Sequence, residues 1–135
     1  MKRKLIALTA LLVTAVTLTG CGNTKTLTCT MTEDGVTETH VYKFSKDKLT
    51  KMTYKEEMEA ESEEQAQEYK KLAEESSELL SGEGITTKVD IKGKKVTAVM
   101  EADLSKMDDD AKKNVEDTTY DEAKKEEEED GFSCK

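Results

Sequence analysis

TLTCTMTEDGVTETHVYKF, residues 26–44, is the stretch that decides the fold. Leu27, Cys29 and Met31 alternate with Thr26, Thr28 and Thr30. That period of two marks a strand with one buried face, and threonine favours the extended state. Asp34-Gly35 follows, a pair that tolerates the left-handed backbone of a tight hairpin turn. Val36 to Phe44 reads as the returning strand, with Val36, His40, Tyr42 and Phe44 on one side and Val41 on the other. Ser45-Lys46-Asp47-Lys48 is a second polar turn, and Leu49 to Tyr54 a third strand. The chain therefore opens as an antiparallel meander.

Downstream the period changes. Ser62 with Gln65 fits a capping box, and Ala66, Tyr69, Leu72, Ala73, Leu79 and Leu80 follow helical spacing. This predicts a helix over Ser62–Ser81, stopped by Gly82. The run Glu56–Glu64 before it reads as an extra helical turn or a solvated loop. Ile85 to Ile91 alternates again, Lys92-Gly93-Lys94 turns the chain, and Val96 to Ala102 returns as a fifth strand. Leu104, Met107, Ala111 and Val115 form a weaker amphipathic stripe. Tyr120 to Asp130 holds helix formers but only Tyr120 and Ala123 as apolar positions, so the Glu126–Asp130 run is expected to be solvated.

Together these elements predict an α+β fold: an antiparallel-rich sheet of about five strands with a central amphipathic helix on one face. Tyr69, Leu72, Ala73 and Leu80 are expected against Leu27, Met31, Val89 and Val99 or their neighbours. Met100 competes with Val99 for the inward side. The docking of the C-terminal helix is left open.

The N-terminal end carries an address. Met1 to Lys4 is positive, and Leu5 to Leu18 is an uncharged apolar run. The run is shorter than the roughly 20 residues a spanning helix needs, and it fits a secretory h-region of about 7–15. It ends in Leu18-Thr19-Gly20-Cys21, which resembles the lipobox of bacterial lipoproteins. That resemblance implies a signal peptide over residues 1–20, cleavage before Cys21, and a diacylglyceryl group on the Cys21 sulfur. Residues 21–26 become a lipidated tether and 27–135 a single compact domain. Two acyl chains, at about 0.8 kcal/mol per buried methylene, hold such a protein stably at a membrane. The expected location is extracytoplasmic, lipid-anchored to the cell membrane, or to the outer membrane in a Gram-negative cell. The preference for lysine over arginine points to a low-GC Gram-positive source.

Length and charge narrow the function. One domain is expected from 135 residues. With 21 basic against 30 acidic residues and a net charge of −9, nucleic acid is excluded as a partner. Lys2, Arg3 and Lys4 belong to the leader, so the remaining body is more acidic still and is repelled by anionic headgroups. The body is also poor in Leu, Ile, Val and Phe, near the composition at which chains stay unfolded. Periodicity and cysteine placement argue the other way.

With Cys21 acylated, Cys29 and Cys134 are left to pair in an oxidising compartment. The loop they close is long enough for a stabilisation of about 4.7 kcal/mol in the chain-entropy model. Phe132, two residues before Cys134, falls on the same side of an extended tail. Such a tail beside the first strand covers an edge that otherwise invites mispairing. A redox pair normally sits as Cys-x-x-Cys at a helix N-terminus, and neither cysteine does.

No catalytic residue is assigned. His40, the single histidine, lies in a strand pattern and reads as a packed or rim residue. The nucleophile-elbow, phosphate-loop and paired-histidine motifs are missing from the sequence. No metal site or cofactor is expected: zinc lacks ligands, and Asp108-Asp109-Asp110 lacks the alternation and glycine of a calcium loop. What remains is a non-enzymatic envelope lipoprotein, held to the membrane at Cys21 and acting by contact with another envelope protein. The alternative is a small-ligand or divalent-cation binding domain.

The full pattern resembles the YehR-like small lipoproteins, a family of unknown function. The resemblance rests on Leu18-Thr19-Gly20-Cys21, the Thr-Cys-Thr strand with its Gly35 turn, and the central helix. Asp103-Leu104-Ser105-Lys106-Met107 and the terminal Gly131-Phe132-x-Cys134-Lys135 complete it. It implies a compact α+β domain and brings no substrate. One departure is that Glu126 to Glu129 stand where that family's last helix carries an apolar face.

Overall fold

The computed structural model describes residues 23–135, so the leader and Cys21 lie outside the described residues. Strands β1 (Thr24–Glu33) and β2 (Val36–Ser45) form the opening hairpin, with Leu27 opposite Tyr42 and Cys29 opposite His40. Asp34 and Gly35 take φ of 49° and 82°, the positive values with which a two-residue turn matches the twist of its strands. β1 starts before Leu27, so Thr24 to Thr26 are strand rather than tether.

β3 (Lys48–Glu59) runs past the expected Tyr54. Glu56 and Met58 pair with Ala98 and Val96, so Glu56–Glu59 is extended, while residues 60–62 form a short loop and Glu63 and Glu64 open the helix. Helix preference is a weak force beside a ladder of backbone hydrogen bonds, made with β5 throughout and with β2 as far as Glu57. β4 (Ile85–Lys92), β5 (Lys95–Asp103) and a short β6 (Ser133–Cys134) complete one antiparallel sheet of order β4-β5-β3-β2-β1-β6. It has six strands because the tail does lie beside the first strand. Thr28 and Lys135 exchange both backbone hydrogen bonds at 2.9 Å.

The register sorts side chains cleanly. Leu27, Cys29, Tyr42, Met52, Tyr54 and Met100 share one face, because residues opposite each other in a ladder point the same way. Val99 therefore points to the other face, with Lys55 and Lys88, and Met100 takes the inward side.

Helix α1 (Glu63–Leu80) starts at the expected cap, with the Ser62 hydroxyl accepting from Gln65 N at 3.1 Å. It lies against β4 and β5 rather than across the whole sheet. Its inward contact is made by Ala66, fully buried with Ala60 and Val96, with Met58, Val89 and Ile91 around them. Val89 is met as expected, whereas Leu27 and Met31 belong to a separate core. Tyr69, Leu72 and Leu79, expected inward or along the same stripe, are 38%, 59% and 88% exposed. Small side chains let the helix approach closely, and that close approach selects the alanine side.

The turn after α1 depends on Gly84, not Gly82. Gly84 has φ +83°, and a Cβ there would lie 2.6 Å from the Asp103 carbonyl oxygen. The expected stripe from Leu104 to Val115 resolves into a 3₁₀ turn (Leu104–Lys106) and the short helix α2 (Asp109–Lys112). Leu104, Met107 and Val115 pack on the larger core, and Ala111 stays exposed.

Helix α3 (Tyr120–Glu129) docks firmly. A capping box between Thr119 and Glu122 starts it, and Ala123 and Glu127 are buried. The solvated reading of Glu126–Asp130 therefore fails at Glu127. The larger core joins Ala123 and Phe132 to Leu27, Cys29, Tyr42, Phe44, Leu49 and Leu104.

Candidate functional site

The hairpin places His40 and Tyr42 two residues apart on the helix side of β2, and α3 lowers Glu127 between them. His40 Nδ1 lies 2.9 Å from both Glu127 carboxylate oxygens. The Tyr42 hydroxyl donates to the same carboxylate. This accounts for a glutamate in a position that an apolar residue would otherwise fill. A buried carboxylate is tolerated when donors replace its lost water. Burial pushes the Tyr42 hydroxyl far above the usual phenol range, and the bond to Glu127 adds to the shift.

Aromatic packing fixes the imidazole. Phe132 stacks on it with centroids 4.5 Å apart, and Tyr54 meets its edge at 4.6 Å. The Cys29–Cys134 disulfide sits beside this stack, since Cys29 pairs with His40 across β1 and β2 and with Cys134 across β1 and β6. Its Cα atoms are 4.1 Å apart, and 105 positions separate the two cysteines in sequence. Cystine, ring stack and buried carboxylate thus lock the C-terminal helix and tail onto the first hairpin.

His40 Nε2 has Glu38 Oε2 at 3.9 Å, and the Tyr54 hydroxyl donates to the Met52 sulfur at 3.6 Å. His40 and Tyr54 divide a shallow groove that follows the helix side of the sheet. One half holds about 160 Å³ beside Glu38, Thr87 and Met100. The other holds about 330 Å³ beneath α3, beside Met52, Glu126 and Asp130. Glu38 and Glu56 stand directly opposite each other on the same face, so the groove has an acidic rim.

The described residues hold no group of three or more His, Cys, Asp or Glu side chains arranged around a metal position. Asp108 caps α2 by accepting from Ala111 N at 2.7 Å, and Asp109 pairs with Lys112 at 2.8 Å. Those aspartates serve the helix turn. No helix among the described residues is long and apolar enough to cross a membrane.

Two solved structures share this architecture. The chain is similar to the Escherichia coli YehR protein, with a TM-score of 0.64 at 13% identity, covering 85% of this chain and 93% of that one. It is also similar to a Streptococcus pneumoniae protein, with a TM-score of 0.60 at 11% identity, covering 86% and 87%. No protein-family model matches the chain, and no curated protein matches it.

The YehR-like fold is thus shared over nearly all of the described chain, and at these identities the likeness is one of fold. Sequence reasoning found Cys29, Cys134 and the packed setting of His40. It missed Glu127, although Tyr120, Ala123 and Glu127 follow one another at spacings of three and four, the signature of a single helix face. The exposed stripe on α1 was also misread, because spacing marks a face without saying which face the sheet receives.

Proposed function

We propose that this chain is a lipid-anchored, extracytoplasmic member of the YehR-like lipoproteins that acts, without catalysis, by contacting another envelope protein. The observation that carries the contact reading is the stripe Tyr69, Leu72 and Leu79 on α1, which lies outside both cores. Large apolar side chains grouped on one exposed helix face mark binding surfaces more often than lone ones do. A lipid bilayer is a poor occupant for this face. α1 carries Glu63, Glu64, Glu68, Glu74, Glu75 and Glu78 against Lys70 and Lys71, and anionic headgroups repel such a helix.

The test is site-specific photo-crosslinking from position 79 in intact cells, with position 109 on α2 as control. Discrete protein adducts from 79 and none from 109 are expected. Lipid adducts alone, or identical patterns from both positions, would remove the reading. A second reading, small-ligand binding, draws support from the groove at His40 and Tyr54, whose two halves are open and mainly apolar with polar atoms among them.

A further inference from the structure

We infer that the segment received by α1 is a basic amphipathic helix of the partner protein, a conclusion that rests on the contact reading above and names its chemistry. The sheet side of α1 is set by Ala66, with Ala73 and Ser77 on the same helical face and half-buried. At 100° per residue, Tyr69, Leu72, Ser76 and Leu79 lie roughly a quarter turn away from that side. They succeed one another at spacings of three, four and three, so they form one continuous row. The row from Tyr69 to Leu79 spans about 15 Å at 1.5 Å per residue, the length over which a partner helix of about three turns makes contact.

The border of the row decides the partner's charge. Glu68, Leu72, Glu75 and Leu79 are successive neighbours at spacings of four, three and four, so a carboxylate flanks each exposed leucine. Any helix seated on Leu72 and Leu79 brings its own flanks to Glu68 and Glu75. Lys71 approaches Glu75 only at 4.0 Å and is itself exposed, a contact of little worth in water. The groove rim on the same side of the sheet is acidic too, through Glu38, Glu56, Glu126 and Asp130.

A second copy of this chain would oppose one acidic helix to another. A partner with leucine-like residues on one side and Lys or Arg at their flanks satisfies both the apolar row and its border, as when two amphipathic helices pack side by side. Complementary charge also suppresses the wrong partners.

The experiment uses the full lipidated chain in nanodiscs of zwitterionic phospholipid and a fluorescent helix-forming peptide of leucine and lysine, about five turns long. Empty discs supply the background. A leucine–glutamate peptide of the same pattern and a scrambled leucine–lysine peptide are the controls. Saturable binding of the patterned basic peptide alone is expected, weakening several-fold as salt rises from roughly 0.05 to 0.5 M.

Leu72→Ser with Leu79→Ser should weaken binding at least about tenfold. Both side chains are exposed, so circular dichroism should show the fold retained. Equal binding to that variant, or equal binding of the glutamate or scrambled peptide, overturns the inference. The in-cell crosslink separates the two claims. A discrete protein adduct whose contact segment is acidic or uncharged leaves the contact reading standing and removes the basic chemistry. An adduct to a second copy, or to residues 1–22 of the same chain, removes both.

Discussion

Removing the cystine by Cys29→Ala with Cys134→Ala should cost this domain a large share of its stability. The two cysteines are separated by 105 positions and sit opposite each other in the β1–β6 ladder. For a loop of that size the chain-entropy model gives an entropy near 16 cal/mol/K, or about 4.8 kcal/mol at room temperature. Whole domains are stable by only about 5–15 kcal/mol. This one buries few large apolar groups, with Phe44, Leu27 and Cys29 the largest that are fully enclosed.

The assay is urea unfolding followed by far-UV circular dichroism on the double variant, the oxidised wild type and the wild type reduced with a thiol. The midpoint should fall. The slope against urea should rise, because an uncrosslinked unfolded chain exposes more surface. A variant already unfolded in water is the upper end of the same expectation. A loss below about 1 kcal/mol with an unchanged slope would refute the reasoning and leave the bond as a local clasp for β6.

Three further outcomes follow from the site and the address. Glu127→Gln should cost about 1–3 kcal/mol in the same urea assay, since a carboxylate serving both His40 and Tyr42 is replaced by a group that cannot accept from both equally. Tyr42 is held protonated in the fold by burial and then by its bond to Glu127, while in the unfolded chain it ionises near 10. Its contribution is therefore full below about pH 10 and is lost as pH rises beyond it, so an alkaline unfolding series should be flatter for Tyr42→Phe than for the wild type. Cys21→Ala should move the protein from the membrane to the soluble fraction on cell fractionation; unchanged detergent-phase partitioning would count against the lipobox reading.

Most of the sheet was legible because its information is local. The alternation at Leu27, Cys29 and Met31, the Asp34-Gly35 turn and the Ile85–Ile91 strand each follow from adjacent residues. The pairing of Cys29 with Cys134 was legible for another reason, since few cysteines leave few choices. What stayed hidden was non-local. Glu56 and Met58 look helical until β5 offers them a ladder. Glu127 looks solvated until His40 and Tyr42 come within reach, across more than eighty positions of chain. The helix α1 was placed on the sheet correctly, but its rotation depended on Ala66 and Ala73 permitting a closer approach than Tyr69 and Leu72.

These two ends of the sheet should differ in resistance to opening, and the difference bears on the proposed contact. At the β1 end, the disulfide, the Phe132–His40 stack and Glu127 tie α3 and β6 to the hairpin. At the β4 end, α1 rests through Ala66 on Ala60 and Val96, with partly buried neighbours. An alanine methyl buries little, on a scale of about 0.8 kcal/mol per methylene; α3 also buries a single alanine, Ala123, but adds the Glu127 bonds to His40 and Tyr42 and the cystine just beyond it, ties that α1 lacks. Local opening follows such differences. Native-state hydrogen exchange should therefore show α1 and β4 amides exchanging through openings of lower free energy than those of β1, β2 and α3. A basic helix seated on Tyr69, Leu72 and Leu79 would add burial where the domain has least, and should slow α1 exchange while leaving α3 unchanged. Equal protection of the two helices in the free protein would sink this account, because it would mean that alanine-scale packing anchors α1 as well as a cystine and a buried carboxylate anchor α3.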